Sequence, residues 1–251
     1  MEARSCASWL AAVGGEISRV DAALMGARLS IIIPTINEAL TIEATLTALQ
    51  PMRAHGAEII VVDGGSNDNT TSICARYTDC TLQSPRGRAL QMNAGANAAI
   101  GEVLLFLHAD SLPPQDADLL VLKALASGKQ VWGRFDVSIT GANPMFRLIA
   151  WMMNLRSRLS GIATGDQGIF VTRTAFDVAG GFPNIPLMED IALSKALKRL
   201  SPPVCLSNRM TTSGRRWEKY GVIRTIILMW RLRAAYFLGA DPARLAERYI
   251  R

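Results

Sequence analysis

The sequence predicts an α/β fold in which helices flank a central, mainly parallel sheet. Three short runs dominated by apolar residues, at 29–33, 58–62 and 103–107, are each followed within a few positions by an acidic residue. Runs of this length and composition are typical of strands that are buried on both faces. Helical patterns and short polar turns separate these runs, and strands that alternate with helices favour a right-handed parallel arrangement.

The elements of the first half are bounded by glycine, proline and polar residues. Pro34 closes the first strand, and a helix should open over 37–43 and reach about Leu49. The second strand ends in Asp63-Gly64-Gly65-Ser66, a flexible turn before the next helix. A further helix follows Arg86-Gly87-Arg88 and leads into the third apolar run.

The second half is less regular, but its periodicity still predicts secondary structure. The expected elements are a helix after Pro113-Pro114, strands at 131–139 and 168–172, and helices at 143–159, 188–200 and 222–238. We therefore expect one domain over 29–217, preceded by an N-terminal extension at 1–28 and followed by a basic helical appendage at 218–251.

Positive charge is concentrated towards the C-terminal end. The chain of 251 residues has a formal net charge of +6, and residues 209–251 alone carry a balance of +7. Of the 27 basic residues, 22 are arginines, whose planar guanidinium groups suit phosphate and carboxylate partners. No nucleic-acid reading motif accompanies this charge, which argues against a nucleic-acid partner. A solvated basic tail and a contact with an anionic membrane surface are both consistent with it.

No part of the sequence has the length and hydropathy of a membrane span, which needs about 18 apolar residues. The nearest segment, 222–238, contains Arg224, Arg231 and Arg233. We expect a buried or homodimer-forming helix there, with in-plane association with anionic lipid as the alternative. No secretory signal is evident, and the four cysteines have no CxxC spacing. The sequence therefore predicts a cytoplasmic protein, placed at most at the inner face of the membrane.

Three acidic residues follow predicted strands. Glu38, Asp63 and Asp110 come just after the first, second and third apolar runs. Because ligands of open parallel sheets bind beyond the carboxyl ends of the strands, we expect these carboxylates to face one ligand. Each one alone is explained by turn chemistry, but the set favours hydrogen bonds to the base or ribose of a nucleotide.

An imidazole and a carboxylate share the end of the third run, in His108-Ala109-Asp110. Mg²⁺ takes few protein ligands and fills its shell with water and phosphate oxygens, so one carboxylate is enough. Imidazole suits Mn²⁺ better than Mg²⁺. His108 and Asp110 are thus candidate ligands for Mn²⁺ or Mg²⁺.

Other polar groups are placed to act on a bound diphosphate or an acceptor. Glu189-Asp190 begins a predicted helix, whose N-terminus keeps carboxylates ionised and available as a general base. Arg86 and Arg88 flank a glycine before a helix, where backbone NH groups can approach an anion. Asp166 precedes a predicted strand, and the segment 213–217 could close over a pyrophosphate with Trp217 stacked on a ring.

The order of these motifs resembles that of family 2 glycosyltransferases with the nucleotide-diphospho-sugar transferase (GT-A) fold. The resemblance rests on Ser30-Ile-Ile-Ile-Pro-Thr-Ile-Asn-Glu38, Ile60-Val-Val-Asp-Gly-Gly-Ser-Asn-Asp-Asn-Thr70, His108-Ala-Asp110 and Glu189-Asp190, and covers about residues 29–217. The segment Arg86-Gly-Arg-Ala-Leu-Gln-Met-Asn-Ala-Gly95 is similar to that of a small bacterial subgroup, the rSAM/selenodomain-associated transferases 2.

The resemblance implies a metal-dependent, inverting transfer of a sugar from a nucleoside-diphosphate sugar, most simply a UDP-sugar, to an acceptor hydroxyl. It assigns the metal contact to Asp110 and the catalytic base to Asp190, with Glu189 as its neighbour. The implied nucleotide-sugar contacts are Pro34, Thr35, Asn37, Glu38, Asp63, Gly64, Ser66, Arg86, Arg88, Asn93, His108, Ala109, Asp110, Asp166, Arg216 and Trp217.

Two positions depart from the family pattern. His108 replaces the first Asp of the Asp-x-Asp motif, and Ser213 replaces the Gln of the Gln-x-x-Arg-Trp signature of processive members. The first departure bears on the identity of the metal and the second on processivity. Because the sequence also lacks a long membrane-spanning region, single sugar additions are expected. Two alternatives stay open: a nucleotide-sugar sensor or membrane-docking scaffold, and a sugar-nucleotide nucleotidyltransferase. The latter is disfavoured because the segment 34–38 has neither the Gly nor the Arg of a basic phosphate loop.

Overall fold

A computed structural model describes residues 28–250, apart from the side chains of Arg216 and Ile250. The predicted extension at 1–28 lies outside this range except for Arg28. The strands are β1 (Leu29–Thr35), β2 (Glu58–Asp63), β3 (Cys80–Gln83), β4 (Val103–Phe106), β5 (Ser111–Leu112), β6 (Trp132–Thr140), β7 (Ile169–Thr172) and β8 (Val204–Ser213). The helices are α1 (Ile42–Ala54), α2 (Thr70–Cys74), α3 (Arg88–Ala98), α4 (Ala117–Leu125), α5 (Met145–Ser160), α6 (Arg173–Ala179), α7 (Glu189–Leu197), α8 (Arg215–Tyr220), α9 (Val222–Phe237) and α10 (Pro242–Ile250), with a 3-10 turn at Gly165–Gln167.

The described strands form one sheet in the order β3-β2-β1-β4-β7-β6-β8-β5. β1 pairs in parallel with β2 and β4, and β2 pairs in parallel with β3, as the first half of the sequence predicts. The direction then reverses, because β7 is antiparallel to both β4 and β6. β8 is parallel to β6 and antiparallel to β5. The predicted α/β class is confirmed, with a second half that is mixed, and β5 and β8 were not predicted.

The first helix begins later than the sequence predicts. Asn37 has a positive φ of 53°, and the carbonyl of Glu38 accepts hydrogen bonds from the amides of Thr41 (3.0 Å) and Ile42 (2.9 Å). The start predicted within 37–43 is therefore a turn up to residue 41, and the helix runs on to Ala54. This turn leaves Glu38 in a loop beyond the carboxyl end of β1.

The parallel half of the sheet is buried between two layers of helices. Ile31 belongs to the same apolar cluster as Leu46 of α1, whereas Ile32, on the opposite face of β1, packs with Met92 and Ala96 of α3. Every residue of β1, β2 and β4 is buried. The expectation that the central strands are covered on both faces is thus confirmed.

The C-terminal helices pack beside the start of α7. Leu232 of α9 and Leu245 of α10 share a buried cluster with Leu187 and Ile191. The other side of α9 is exposed, and 57% of Trp230 is accessible, so the expected helix is only half-buried. Within residues 28–250, no helix is long and apolar enough to cross a membrane. The domain boundary at 217, which falls inside α8, stays a prediction.

Candidate active site

The loop after β2 is held by Asp63, at the predicted end of the strand. Its carboxylate accepts hydrogen bonds from the amides of Gly65 and Ser66, each at 2.9 Å, and from the hydroxyl of Ser66. The amide of Asn37 donates in turn to the Ser66 hydroxyl at 2.9 Å. Asp63 is only 1% exposed, and its carboxylate therefore serves to hold the loop conformation at this edge of the sheet.

The loops after β1 and β2 are joined a second time through Thr70 and Asp68. The Glu38 amide donates to the hydroxyl of Thr70 at 2.8 Å, and the Ala39 amide donates to Asp68 at 3.2 Å. A hydrogen bond from the Thr70 hydroxyl also lowers the pKa of Asp68. These bonds fix the position of the Glu38 backbone over the edge of the sheet.

Gln91 of α3 links the carboxyl ends of β1 and β2. Its Nε2 donates to the carbonyls of Thr35 and Val62, each at 2.8 Å, and the side chain is buried. A Cβ on Gly64 would lie 3.0 Å from this nitrogen, so a glycine suits the close approach. The sequence signal was a glutamine among small and apolar helix residues, to which we assigned no role.

A cavity of about 650 Å³ opens beyond the carboxyl ends of β1 and β4. It brings together seven of the predicted site residues, namely Glu38, Arg88, His108, Asp110, Asp166, Asp190 and Trp217. The other predicted residues with described side chains do not line the cavity. Arg86 is exposed before α3, Asn93 lies in α3, Ala109 is buried and Glu189 is paired with Arg88. The remaining ones lie at the carboxyl ends of β1 and β2, namely Pro34, Thr35, Asn37, Asp63, Gly64 and Ser66.

Arg215, at the start of α8, bridges two of the cavity acids. Its Nη2 lies 3.4 Å from Glu38 Oε2 and 3.3 Å from Asp110 Oδ2. The pairing of Ser111 with Thr212 across β5 and β8 brings Asp110 next to the residues that precede α8. The sequence pointed to the neighbouring Arg216, whose side chain lies outside the described part. Two carboxylates sharing one guanidinium indicate a concentration of negative charge.

His108 is engaged by Asp166. Its Nδ1 lies 3.4 Å from Asp166 Oδ1, and a Cβ on Gly165 would lie only 2.2 Å from its Nε2. Burial opposes both charges, but the hydrogen bond between the two side chains and the neighbouring opposite charges together outweigh it, so the pKa of His108 is raised and the pKa of Asp166 is lowered. Nδ1 thus faces Asp166, and the other side of the ring lies close to the Gly165 backbone.

The donor set fits an open divalent site centred on Asp110. Its carboxylate is 28% exposed and lines the cavity beside Glu38. Within the described residues, no three His, Cys, Asp or Glu side chains enclose a metal ion by themselves. Such a site suits Mg²⁺ or Mn²⁺, which complete their shells with water and phosphate oxygens. Asp110 is the better of the two predicted metal ligands, because His108 is held by Asp166.

The two adjacent acids at the start of α7 have different surroundings. Asp190 faces the cavity, and its two oxygens accept hydrogen bonds from the amides of Gly165 (3.0 Å) and Ile191 (2.7 Å). Glu189 is 3% exposed, its Oε1 lies 2.9 Å from Arg88 Nε, and its Oε2 has no hydrogen-bond partner among residues 28–250. Burial raises the pKa of Glu189. Asp190 is therefore the acid that a substrate can reach.

Asn93 acts at a distance from the cavity. Its side chain donates to the carbonyl of Phe182 at 2.7 Å and accepts from the Phe182 amide at 2.9 Å. Both functional groups of the amide are thus used to hold the turn that leads to α7. In this structure Asn93 supports the position of that turn.

A family model described as glycosyl transferase family 2 matches residues 30–178, well over half of the chain. Poly-beta-1,6-N-acetyl-D-glucosamine synthase of Staphylococcus aureus (strain COL) is 29% identical over 101 residues, which cover 38% of this chain and 24% of the synthase. The matched part of this chain thus corresponds to about a quarter of the length of that relative.

Two solved structures share the fold. S. aureus TarS in complex with UDP-GlcNAc has a TM-score of 0.60 and 19% identity, covering 74% of this chain and 58% of that chain. The mannosyltransferase PcManGT of Pyrobaculum calidifontis, in complex with GDP-Man and Mn²⁺, has a TM-score of 0.60 and 21% identity, covering 89% of this chain and 69% of that chain. The predicted nucleotide-diphospho-sugar transferase fold is confirmed.

Proposed function

Because this chain belongs to glycosyl transferase family 2, we propose that it transfers a sugar from a nucleoside-diphosphate sugar to an acceptor hydroxyl with inversion at the anomeric carbon. The observation that carries the proposal is the cavity beyond the sheet. Glu38, Asp110 and Asp190, which are far apart in the chain, all line it. This is the edge at which open α/β sheets bind their ligands.

Asp190 is proposed as the general base. Each of its oxygens accepts one backbone amide, which orients the carboxylate and leaves lone pairs free on the cavity side. The N-terminus of α7 stabilises its negative charge. The acceptor hydroxyl gives its proton to Asp190 as its oxygen attacks the anomeric carbon. The bond from that carbon to the diphosphate oxygen breaks on the opposite face, and the nucleoside diphosphate leaves.

The departing diphosphate is proposed to lie near Asp110 and Arg88. Mn²⁺ or Mg²⁺, held by Asp110, would supply positive charge for the developing negative charge on the leaving group. Arg88 lines this part of the cavity, and Arg215 contacts Asp110 at its border. Both arginines add positive charge near the leaving group. Trp217 also lines the cavity, where its ring can stack on a base or sugar.

A UDP-sugar is the proposed donor, with Glu38 and Asp63 near the nucleoside. The loops after β1 and β2 are joined by the hydrogen bonds that Ser66 and Thr70 accept from the amides of Asn37 and Glu38, so they offer a fixed surface to a base and ribose. The two structural relatives carry a uridine and a guanosine donor, respectively. The donor panel must therefore include sugars of both nucleotides.

The experiment is donor turnover with and without Mn²⁺ in the Asp190→Asn variant. We expect turnover to fall by about 100-fold or more, a typical contribution of a general base, while nucleotide affinity stays unchanged. The exposed Asp177→Asn variant is the matched control. Full turnover in Asp190→Asn would overturn the base assignment. Release of pyrophosphate would indicate a nucleotidyltransferase, and binding without turnover in any variant would indicate a sensor.

The metal role is tested separately in the Asp110→Ala variant. Titration of UDP in the presence of Mn²⁺ should show weaker binding than in the wild type, and removal of Mn²⁺ should reduce the difference. Identical Mn²⁺-dependent titrations for the two proteins would refute the role of Asp110.

We also propose a peripheral contact with an anionic membrane, made by α5 and α9. Trp151 and Trp230 are exposed on these helices, close in sequence to exposed Arg147 and Arg231. Amphipathic surfaces of this kind bind the interface of anionic lipids. Liposome flotation at low and high salt tests the contact. A homodimer through the same helices is the alternative, and a doubled mass in sedimentation without flotation would favour it.

A further inference from the structure

The cavity continues past Asp190 into a part that the proposed reaction does not use. This second part lies between α5 and α9 and is lined mainly by apolar side chains. They are Ile149, Met152, Met153, Ile226, Met229 and Trp230. Two arginines, Arg156 of α5 and Arg233 of α9, also line it.

These arginines carry hydrogen-bond donors that no described residue satisfies. Nε and Nη2 of Arg156 and Nε of Arg233 are buried atoms without a hydrogen-bond partner in residues 28–250. Within the same range, Arg156 gives a long contact of 3.4 Å from Nη1 to the carbonyl of Ile162. Burial and the neighbouring charge of Arg233 lower the pKa of Arg156 to about 10. Buried polar donors are normally paired, so these point to an absent acceptor atom.

The nearby acids do not fill this role. Asp190 accepts its hydrogen bonds from the amides of Gly165 and Ile191, and Asp166 is paired with His108. Among the described ion pairs, none joins either arginine to a carboxylate within 4.0 Å. The second part of the cavity therefore combines apolar walls with two positive charges next to the proposed base.

We propose that Arg156 and Arg233 bind an anionic group of the acceptor, a phosphate or a carboxylate, while an apolar portion of the acceptor lies between α5 and α9. Guanidinium groups match both oxyanions with paired N–H donors. The inference rests on the proposed function, since it places the acceptor beside Asp190. Asp190 and Arg156 line the same cavity, and the charge of Asp190 acts on Arg156, so the arginine lies near the proposed base.

The test uses three probes with the same eight-carbon chain: octyl phosphate, octanoate and neutral octyl glucoside. Each is titrated into the full chain, without nucleotide and below its micelle concentration, and binding is measured by calorimetry. We expect at least one anionic probe to bind about tenfold or more tightly than octyl glucoside, since a charge-assisted hydrogen bond is worth at least one such factor. The tighter of octyl phosphate and octanoate identifies the anion. Equal binding of the neutral and anionic probes would overturn the proposal.

Variants assign the binding to the two arginines. Arg156→Met and Arg233→Met should each weaken the anionic probe by about tenfold or more, whereas Arg199→Met, exposed just after α7, should not. Arg156→Lys keeps the charge without the paired donors and should give an intermediate loss, and it serves if the methionine variant fails to fold. An equal loss in Arg199→Met would show a general charge effect and refute the site.

Titration with UDP and Mn²⁺ separates this inference from the proposed function. Wild-type binding of UDP without binding of either anionic probe would refute the acceptor site alone. Binding of an anionic probe without binding of UDP would refute the donor assignment and leave the anion site standing. If Arg156→Met weakens UDP as much as the anionic probe, the arginines belong to the donor site and the inference is wrong.

Discussion

Removal of Arg88 is expected to leave a buried carboxyl group without its partner. The Glu189 side chain is 4% exposed, and its Oε1 lies 2.9 Å from Arg88 Nε. Its other oxygen already has no hydrogen-bond partner in the described part of the chain. Arg88→Met keeps most of the side-chain volume but deletes the cation, so Glu189 must either stay charged in an apolar setting or take up a proton.

Two considerations limit how much the free energy of unfolding falls in Arg88→Met. Breaking a buried ion pair costs about 3–5 kcal/mol, but Arg88 is 40% exposed, and water screens part of the interaction. Protonating a carboxyl with an ordinary pKa near 4.3 at pH 7 costs about 3.7 kcal/mol, which limits the penalty from above. We expect the free energy of unfolding to fall by about 2–4 kcal/mol at pH 7. For a chain of this size the melting temperature should fall by roughly 4–16 °C.

The pH dependence identifies the cause. Burial raises the pKa of Glu189 in the wild type, and the loss of Arg88 should raise it further. A folded state that binds the proton more tightly than the unfolded state loses stability as the pH rises from the unfolded pKa through the folded one. The stability of Arg88→Met should therefore decline between pH 5 and pH 8, by at most about 1.4 kcal/mol per pH unit.

Urea denaturation at several pH values measures both quantities. The double variant Arg88→Met/Glu189→Gln should show no such decline, because the titrating group is gone. Arg86→Met, exposed two positions earlier, is the matched control and should be nearly neutral. A cost below about 1 kcal/mol for Arg88→Met that does not vary with pH would refute the reasoning.

Two substitutions and one labelling experiment test the packing of the core. Gln91→Ala removes two buried hydrogen bonds and leaves a void, so urea denaturation should show a loss of about 2–4 kcal/mol, and a loss below 1 would contradict the bridging role. Gly95→Ala would place a Cβ 2.4 Å from Ile32 Cγ2, so thermal denaturation should show a net loss despite the better helix propensity of alanine, with overpacking costing about 1–3 kcal/mol; a gain would show that the helix can shift. Burial raises the pKa of Cys74 to about 11, so iodoacetamide at pH 8 should label Cys80 well before Cys74, as followed by peptide mass spectrometry, and equal rates would count against a buried thiol.

The parallel half of the sheet was predictable because its signals are local. Buried strands are short apolar runs, and the acids that follow them reach one edge by the geometry of parallel pairing alone. That argument placed Glu38 and Asp110 correctly in one cavity. It could not tell that the Asp63 carboxylate is used by its own loop, because the hydrogen bonds of a carboxylate depend on the turn that follows it.

β8 shows why the second half was harder. Its ten residues alternate poorly, with exposed positions in the middle, and a register shift interrupts its pairing with β6 between Phe135 and Asp136. Period-two patterning is the main sequence signal of a strand, and a register shift within the strand disturbs it. Arg215 belongs to the segment 213–217 that the sequence singled out, but its contact with Asp110 was not predicted, since only the pairing of β5 with β8 brings the two together.

The buried polar side chains with unsatisfied atoms were the hardest residues to predict from the sequence. Arg156 and Arg233 look like solvent-facing residues of two helices, and Glu189 looks like a usual first-turn acid of another. Each becomes unusual only when contacts between distant segments bury it with unsatisfied atoms. Local rules are broken in native proteins mainly where a site requires it. Arg156 and Arg233 line the cavity together with Asp190, and Glu189 holds Arg88, another lining residue. The cost of holding these groups there is best understood as a requirement of the cavity. Replacing Arg156 with an apolar residue should therefore raise the free energy of unfolding, measured by urea denaturation, while it weakens the binding of an anion.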